Sequence, residues 1–306
     1  MITIYQKTLK DREMKEIPDF KVGSWIYVEE PTEQEFDALA EKYRLERGHL
    51  QDAVDPNEVP RTEIEDGVIY IFTRVPYEEK DRVVTVPLLV AVGNDFLLTV
   101  SPHALPFFDK FKAGKMRFST TQKTKLAIQI FSEVDVMYTQ FLNSMNRRIR
   151  SISISMDRIS NNDIVQFVTF EGVLNDFVSA LVPMGDSLNK ILKGRMIELY
   201  EQDQDLIEDV ILSNDQLIRL CDSNIKMIVN IRSAYSTIMT NKLNKILRIL
   251  AALTVILTVP MIITGAYGMN VMLPFADSPH AFWIVSGIMG IVTAFLLGVF
   301  ISKQWL

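Results

Sequence analysis

Cysteine and histidine are scarce: Cys221 is the sole cysteine, and His49, His103 and His280 are the only histidines among 306 residues. One thiol excludes an intrachain disulfide and a thiolate zinc cluster, and three scattered histidines with no His-Glu-x-x-His pairing exclude the usual histidine-held metalloenzyme sites. Basic runs are missing as well. With a net charge of −6 and no long stretch of Lys and Arg, the chain lacks the electrostatic footprint that nucleic acid requires. No nucleophile with a base partner and no acid/base pair stands at a recognisable spacing, so an enzyme is not expected. The first 20 residues interleave Lys, Asp and Glu without an apolar stretch, which argues against a secretory signal and predicts a cytosolic soluble part.

The absence with the largest consequence is that of charge near the end of the chain. Residues 249–276 and 278–302 contain no Asp, Glu, Lys or Arg, and each run exceeds the roughly 20 residues a helix needs to cross a bilayer. Lys242, Lys245 and Arg248 precede the first run, Lys303 follows the second, and the connector 271–280 has no Lys or Arg. The positive-inside rule then places both termini in the cytosol and the connector outside, with Trp283 and Trp305 as interfacial anchors.

Glycine and proline are absent from two long stretches, 116–171 and 195–259. The first carries apolar residues at helical spacing (Ile128, Phe131, Val134, Met137, Phe141), with a break expected near Ser160-Asn161-Asn162. Gly172, Pro183, Gly185 and Gly194 then punctuate further helical segments of a returning hairpin. A continuous helix over the 65 residues of the second stretch would be roughly 98 Å long, of which a bilayer core takes about 30 Å. The remainder is expected to project as a stalk. Its Leu217, Leu220, Met227, Ile231, Ala234 and Ile238 step by threes, fours and sevens, a pattern that fits packing against copies of itself or against the preceding hairpin equally well.

Ahead of these helices, residues 31–55 read as one capped helix, with Thr32 and Glu35 in capping-box spacing. Three β-branched and aromatic runs, 68–72, 83–92 and 96–100, separated by charged turns and Gly93-Asn94-Asp95, read as strands of a small α+β domain. The expected organisation is an α+β cytosolic domain over 1–115, a cytosolic helical hairpin region over 116–194, and a stalk helix over 195–270 continuing into a first span at about 249–269. An outer loop over 271–280, a second span over 281–302 and a cytosolic tail over 303–306 complete it. Two groups of residues invite a functional reading. Tyr267-Gly268-Met269-Asn270 ends the first span, where Gly268 can let the chain leave the helix and Asn270 offers a neutral carbonyl oxygen to a hydrated cation. Glu201, Asp205 and Asp209 stand four apart on one helix face, beside Glu208 and near Asp203, with Arg219 the only basic residue from Glu201 to Asp222. Such acids repel unless a cation or a basic partner neutralises them, although a solvated face gives the same pattern.

The Tyr-Gly-Met-Asn at the outer end of the penultimate span, followed by a short loop, one more span and Lys303-Gln304-Trp305-Leu306, resembles the CorA family of divalent-cation transport proteins. Asp52-Ala53-Val54 through Arg61, Val68 to Phe72, and Leu88 to Val100 look like that family's amino-terminal domain. Asn241-Lys242, Asn244, Leu247, Arg248 and Leu250 look like its pore-entrance segment. The resemblance implies a funnel-shaped homopentamer in the cell (inner) membrane, with five first spans around one pore and both termini cytoplasmic. An Asn270 ring would be the selectivity site, suited to Mg²⁺, which dehydrates reluctantly and is better held through its waters by amide oxygens. Asn244, Leu247 and Leu250 would line and gate the pore. Mg²⁺ would be both substrate and regulatory ligand, with Co²⁺, Ni²⁺ or Zn²⁺ as alternatives. The resemblance also implies a regulatory cation held between subunits by Asp209 with Asp205, against Glu78 or Glu79 of a neighbour. Two departures stand out: Asp277 is the only acid of the outer loop, and Met261 replaces a pore threonine, with Thr258 and Thr264 close by. A zinc, cobalt or nickel carrier on the same fold and a non-conducting membrane-anchored sensor are the competing readings.

Overall fold

The computed structural model describes residues 1–80, 82–154, 159–194, 199–275 and 278–305. The chain forms two compact units, Met1–Asn230 and Ile231–Leu306. In the first, seven strands form one sheet: β1 (Ile2–Gln6), β2 (Lys15–Glu16), β3 (Ser24–Glu29), β4 (Arg61–Glu65), β5 (Val68–Glu79), β6 (Arg82–Val92) and β7 (Phe96–Ser101). Their order is β2-β1-β3-β7-β6-β5-β4, antiparallel except for the parallel β3/β7 pair. The β4/β5 hairpin turns on Asp66 and Gly67, both at positive φ (49° and 78°). Two such residues between Glu65 and Val68, which face each other, are what a tight two-residue hairpin matched to strand twist demands.

Alternation along the strands divides the core between two faces. Ile26 and Val28 of β3, Tyr70 and Phe72 of β5, and Leu98 and Val100 of β7 pack with Phe36, Leu39 and Leu50 of α1 (Glu33–Tyr43) and α2 (Arg47–Asp52). On the other face Trp25 and Tyr27 meet Phe108 and Phe111 of α3 (Phe108–Lys112). There α4 (Lys123–Ile154) and α5 (Asn161–Leu192) also cross β5 and β6. Helices therefore cover both faces of a mixed sheet.

The capping box of α1 is present, Thr32 accepting from Glu35 N–H. The helix expected over 31–55 is nevertheless two helices, because Arg44 turns left-handed (φ 53°) and ends α1. The break expected near Ser160 is also present, as a second capping box between Ser160 and Asp163 that opens α5. The punctuation read at Gly172, Pro183 and Gly185 does not break that helix, which runs through all three. Gly185 serves contact instead: a Cβ there would lie 2.6 Å from Asn214 Nδ2, which crosses to donate to the Leu181 carbonyl at 3.0 Å.

The last soluble element is also the first of the second unit. Helix α6 (Glu201–Tyr267) has 67 residues, and its buried positions before residue 232 are Asp203, Ile207, Val210, Asn214, Leu217, Cys221, Asn224, Ile228 and Ile231. This alternation of four and three is a single seam, and it is buried within one chain, so the helix packs on its own domain here. Leu217 and Ile231 lie on it; Leu220, Met227, Ala234 and Ile238 flank it half-buried. The remaining helix is α7 (Ala281–Ser302), which has no buried residue. Three helices are long and apolar enough to cross a membrane: α5, α6 and α7. In α5 the apolar length is accounted for by Phe167, Leu174, Phe177, Leu181 and Leu188, all buried in the first unit.

Candidate functional site: the end of the long helix and the acids of the soluble unit

Within the second unit, α6 carries Leu243, Ile246, Leu247, Leu250, Leu253, Leu257 and Met261, all exposed, at helical spacings of three and four. Asn244 lies on the same exposed stretch. The hydroxyls nearby are satisfied by their own helix: Thr254 donates to the Leu250 carbonyl at 2.9 Å, Thr258 to the Thr254 carbonyl at 2.7 Å, and Thr264 to the Pro260 carbonyl at 3.1 Å. Such back-bonding leaves hydroxyl lone pairs facing outward while no donor is left orphaned in an apolar medium. Pro260 sits inside the helix without breaking it.

The helix ends at Tyr267, and the Gly268 N–H still reaches the Thr264 carbonyl at 3.0 Å. Tyr267 Oη donates to the Pro274 carbonyl at 2.9 Å, tying the following loop to the helix end. Met269 and Asn270 are exposed. The chain leaves the helix at Gly268, where the sequence suggested it could, but without a left-handed conformation: the φ of Gly268 is not positive. A Cβ there would only touch the Thr264 and Gly265 carbonyl oxygens, at 3.4 Å, an ordinary contact, so nothing within one chain requires glycine at this position. The expected outer-loop acid, Asp277, lies outside the described residues.

The acids of the soluble unit are dispersed. Glu201, Asp205, Glu208 and Asp209 are exposed along α6, and Asp203 is buried on the seam. Glu78 and Glu79 end β5, also exposed. Among the described residues no three His, Cys, Asp or Glu side chains are grouped to hold a metal, so one chain does not assemble Asp209, Asp205, Glu78 and Glu79 into a site. Glu79 does line a cavity of about 530 Å³ that it shares with Arg74, His103 and Asp176. The Arg74 guanidinium is held there by neutral acceptors, Nε to Thr85 Oγ1 at 2.8 Å, Nη1 to the Glu58 carbonyl at 2.9 Å and Nη2 to the Thr85 carbonyl at 2.5 Å. Burial lowers its pKa. His103 stacks on Tyr77 with ring centroids 4.9 Å apart. Sequence reasoning passed over Asp176 and Arg74, since an acid on an amphipathic helix and a basic residue inside a strand carry no local signal of meeting.

Residues 20–303 match the family described as CorA-like Mg²⁺ transporter protein. The cobalt/magnesium transport protein CorA of Methanocaldococcus jannaschii is 25% identical over 295 residues, which is 92% of this chain and 91% of that protein. The complete structure of the CorA magnesium transporter from the same organism superimposes with a TM-score of 0.89 at 21% identity, covering 100% of this chain and 99% of the other. The full-length CmaX protein shares the fold, with a TM-score of 0.79 at 16% identity over 99% and 97% of the two chains.

Proposed function

Since the chain belongs to the family of CorA-like Mg²⁺ transporter proteins and moves divalent cations, we propose that several copies surround one pore lined by α6, with Asn270 as its filter. The observation that carries this reading is the exposed Leu247–Leu250–Leu257–Met261 stretch, which ends in Tyr267-Gly268-Met269-Asn270 and has no covering partner among the described residues of its own chain. A side chain at position 268 meets no obstacle within the chain, so the place for a glycine requirement is the approach of neighbouring copies. Five copies are the number inherited from the resemblance. In such a ring Asn270 presents amide oxygens to the waters of Mg²⁺, and Leu247 and Leu250 close the pore by dewetting. Asn244 stands one turn before Leu247 in the cytosolic mouth.

The driving force in this reading is the membrane potential, about 2.3 kcal/mol per elementary charge per 100 mV. Both termini lie on the cytosolic side of the cell membrane. Feedback comes from cytosolic Mg²⁺ held between copies by Asp209 and Asp205 of one and Glu78 or Glu79 of the next. The dispersal of these acids within one chain supports a site that only assembly completes.

Reconstituted liposomes with an internal Mg²⁺ dye and an inside-negative potential test the reading. Uptake is expected for the native chain and lost for Asn270→Ala; undiminished uptake in that variant sinks the filter assignment. In the same vesicles Asp209→Ala is expected to relieve inhibition by internal Mg²⁺. Competition by Zn²⁺, Co²⁺ and Ni²⁺ ranks the ions.

A further inference from the structure

The soluble unit contains one ionisable group with no evident structural use. Asp135 lies in the middle of α4, 3% exposed, among Phe131, Val134 and Tyr138, which are fully buried. Neither of its carboxylate oxygens has a hydrogen bond of regular geometry, and no ion pair reaches it among the described residues. Its neighbour across the gap is Ser213 of α6. The ionisable groups around it are Tyr138 on its own helix, Cys221 on α6 and, beyond Tyr138, Arg74 of β5 and Asp176 of α5. Arg74 is committed to the carbonyls of Glu58 and Thr85, and Tyr138 donates to the Arg74 carbonyl. No counter-charge is left for Asp135. Burial accordingly pushes its carboxyl up to about 7.

The α6 seam is imperfectly satisfied too. On α6 the Oδ1 of Asn214 and the Nδ2 of Asn224 are buried without partners, and the lone thiol, Cys221, lies between them on the same seam. Each orphaned polar atom on the seam weakens it, because it costs the desolvation of an unpaired group. The seam is therefore held less firmly than the apolar packing of α4 and α5 on the sheet.

We propose that Asp135 makes the α4–α6 seam a proton-operated clasp: neutral, it stays buried beside Ser213 in a closed seam; ionised, its uncompensated charge loosens α6 and draws water in. The neutral carboxyl supplies the O–H that Ser213 Oγ can accept. Ser213 can equally donate to the anion, which lowers the pKa, but that one bond leaves a buried charge without a counter-ion, so hydration at the seam is its cheapest relief. Because α6 continues unbroken to Tyr267, a change in how its first thirty residues are held is carried along the helix that ends at the proposed filter. The sign follows from linkage: the folded unit binds this proton more tightly than the unfolded chain. The contribution of the closed clasp is fully present below about pH 4 and is lost as pH rises through about 7.

The test uses the full chain in nanodiscs. Hydrogen exchange across residues 203–224, corrected for intrinsic rates, is expected to accelerate from pH 6 to pH 8 in the native protein. Cys221 supplies a second readout, since the ratio of its alkylation rates in native protein and Asp135→Asn cancels the titration of the thiol itself. That ratio is expected near one at pH 6 and about tenfold at pH 8, one unit above the midpoint. Asp135→Asn, permanently neutral, is expected to hold the seam closed at both values. A native exchange profile without inflection between pH 6 and 8 overturns the clasp whether or not the variant folds, and so does a labelling ratio that ignores pH. His49 and His103 pack on Glu63, Glu65 and Tyr77, so Asp135→Asn leaves any contribution of theirs in place. Coupling to transport rests on the pore reading above: Mg²⁺ uptake should rise severalfold as cytosolic-side pH goes from 6 to 8, and stay flat in Asp135→Asn. Uptake without pH dependence beside a titrating seam overturns the coupling, whereas no uptake at any pH points to failure of the pore reading itself.

Discussion

Residues 1–230 bury Trp25, Phe72, Phe131 and Phe177 almost completely, whereas residues 231–306 leave Leu257, Met261, Phe282, Trp283, Ile291 and Phe295 each at least 66% exposed. In the second unit Ile231, Ala252 and Ile256 are the buried apolar residues among those described. A water-soluble unit of 76 residues with so little core would not repay the entropy of ordering its chain. The difference is one of solvent. The first unit excludes water from its own interior, and the second presents its side chains to hydrocarbon or to other copies, where an exposed Leu costs nothing. The polar bookkeeping agrees: Thr254, Thr258 and Thr264 of α6 return their hydrogen bonds to their own helix, as a medium without water requires.

Matched substitutions at equally exposed positions break or sharpen this contrast most strongly. Ile291, 72% exposed near the middle of α7, and Val165, 64% exposed on α5, look alike by accessibility. Ile291→Lys is expected to cost about 3 kcal/mol of membrane insertion, the value for a charge at mid-bilayer. Val165→Lys should stay within about 0.5 kcal/mol, as surface changes in water do. Alkaline extraction of membranes from cells making each variant reads the first, and thermal unfolding of the purified chain reads the second. Equal tolerance at the two positions would contradict a bilayer around α7.

How much of this was legible beforehand differs between the units for the same reason. Uncharged runs are a linear signal, and the two spans follow from them directly. The sheet is less local. Strand β3, with Trp25-Ile26-Tyr27-Val28 after Gly23, carries the β-branched and aromatic signature but was not read as a strand. Its partner β7 lies about 70 residues away in a parallel register, and no hairpin announces it. β1 was missed because charged residues surround its short Ile2–Gln6 run. The α6 seam was only partly legible because four of its nine buried positions are Asp203, Asn214, Cys221 and Asn224, which a hydrophobic periodicity leaves out. The acids of α6 could be seen as a row but not as a site, and among the described residues one chain does not group them with Glu78 and Glu79.

The starts of the helices provide a finer test of the same contrast. In the soluble unit α1 and α5 open with capping boxes, Thr32 with Glu35 and Ser160 with Asp163, whereas α7 opens at His280 with no side-chain cap. In water, the first N–H groups of a helix need an acceptor that holds its place better than solvent does, and a Ser or Thr hydroxyl supplies it. A helix that starts at a membrane interface gains its position from its apolar length and from Trp283 beside the start, so a cap adds little. Thr32→Ala should therefore cost the first unit about 1 kcal/mol, lowering its melting temperature by about 2–4 °C in a unit of this size. His280→Ser, which offers α7 the missing hydroxyl, should leave both melting and insertion unchanged within about 0.5 kcal/mol. A gain on adding the cap as large as the loss at Thr32 would mean that the start of α7 is governed by water-phase helix physics, and the division between the two solvents would have to be drawn further along that helix.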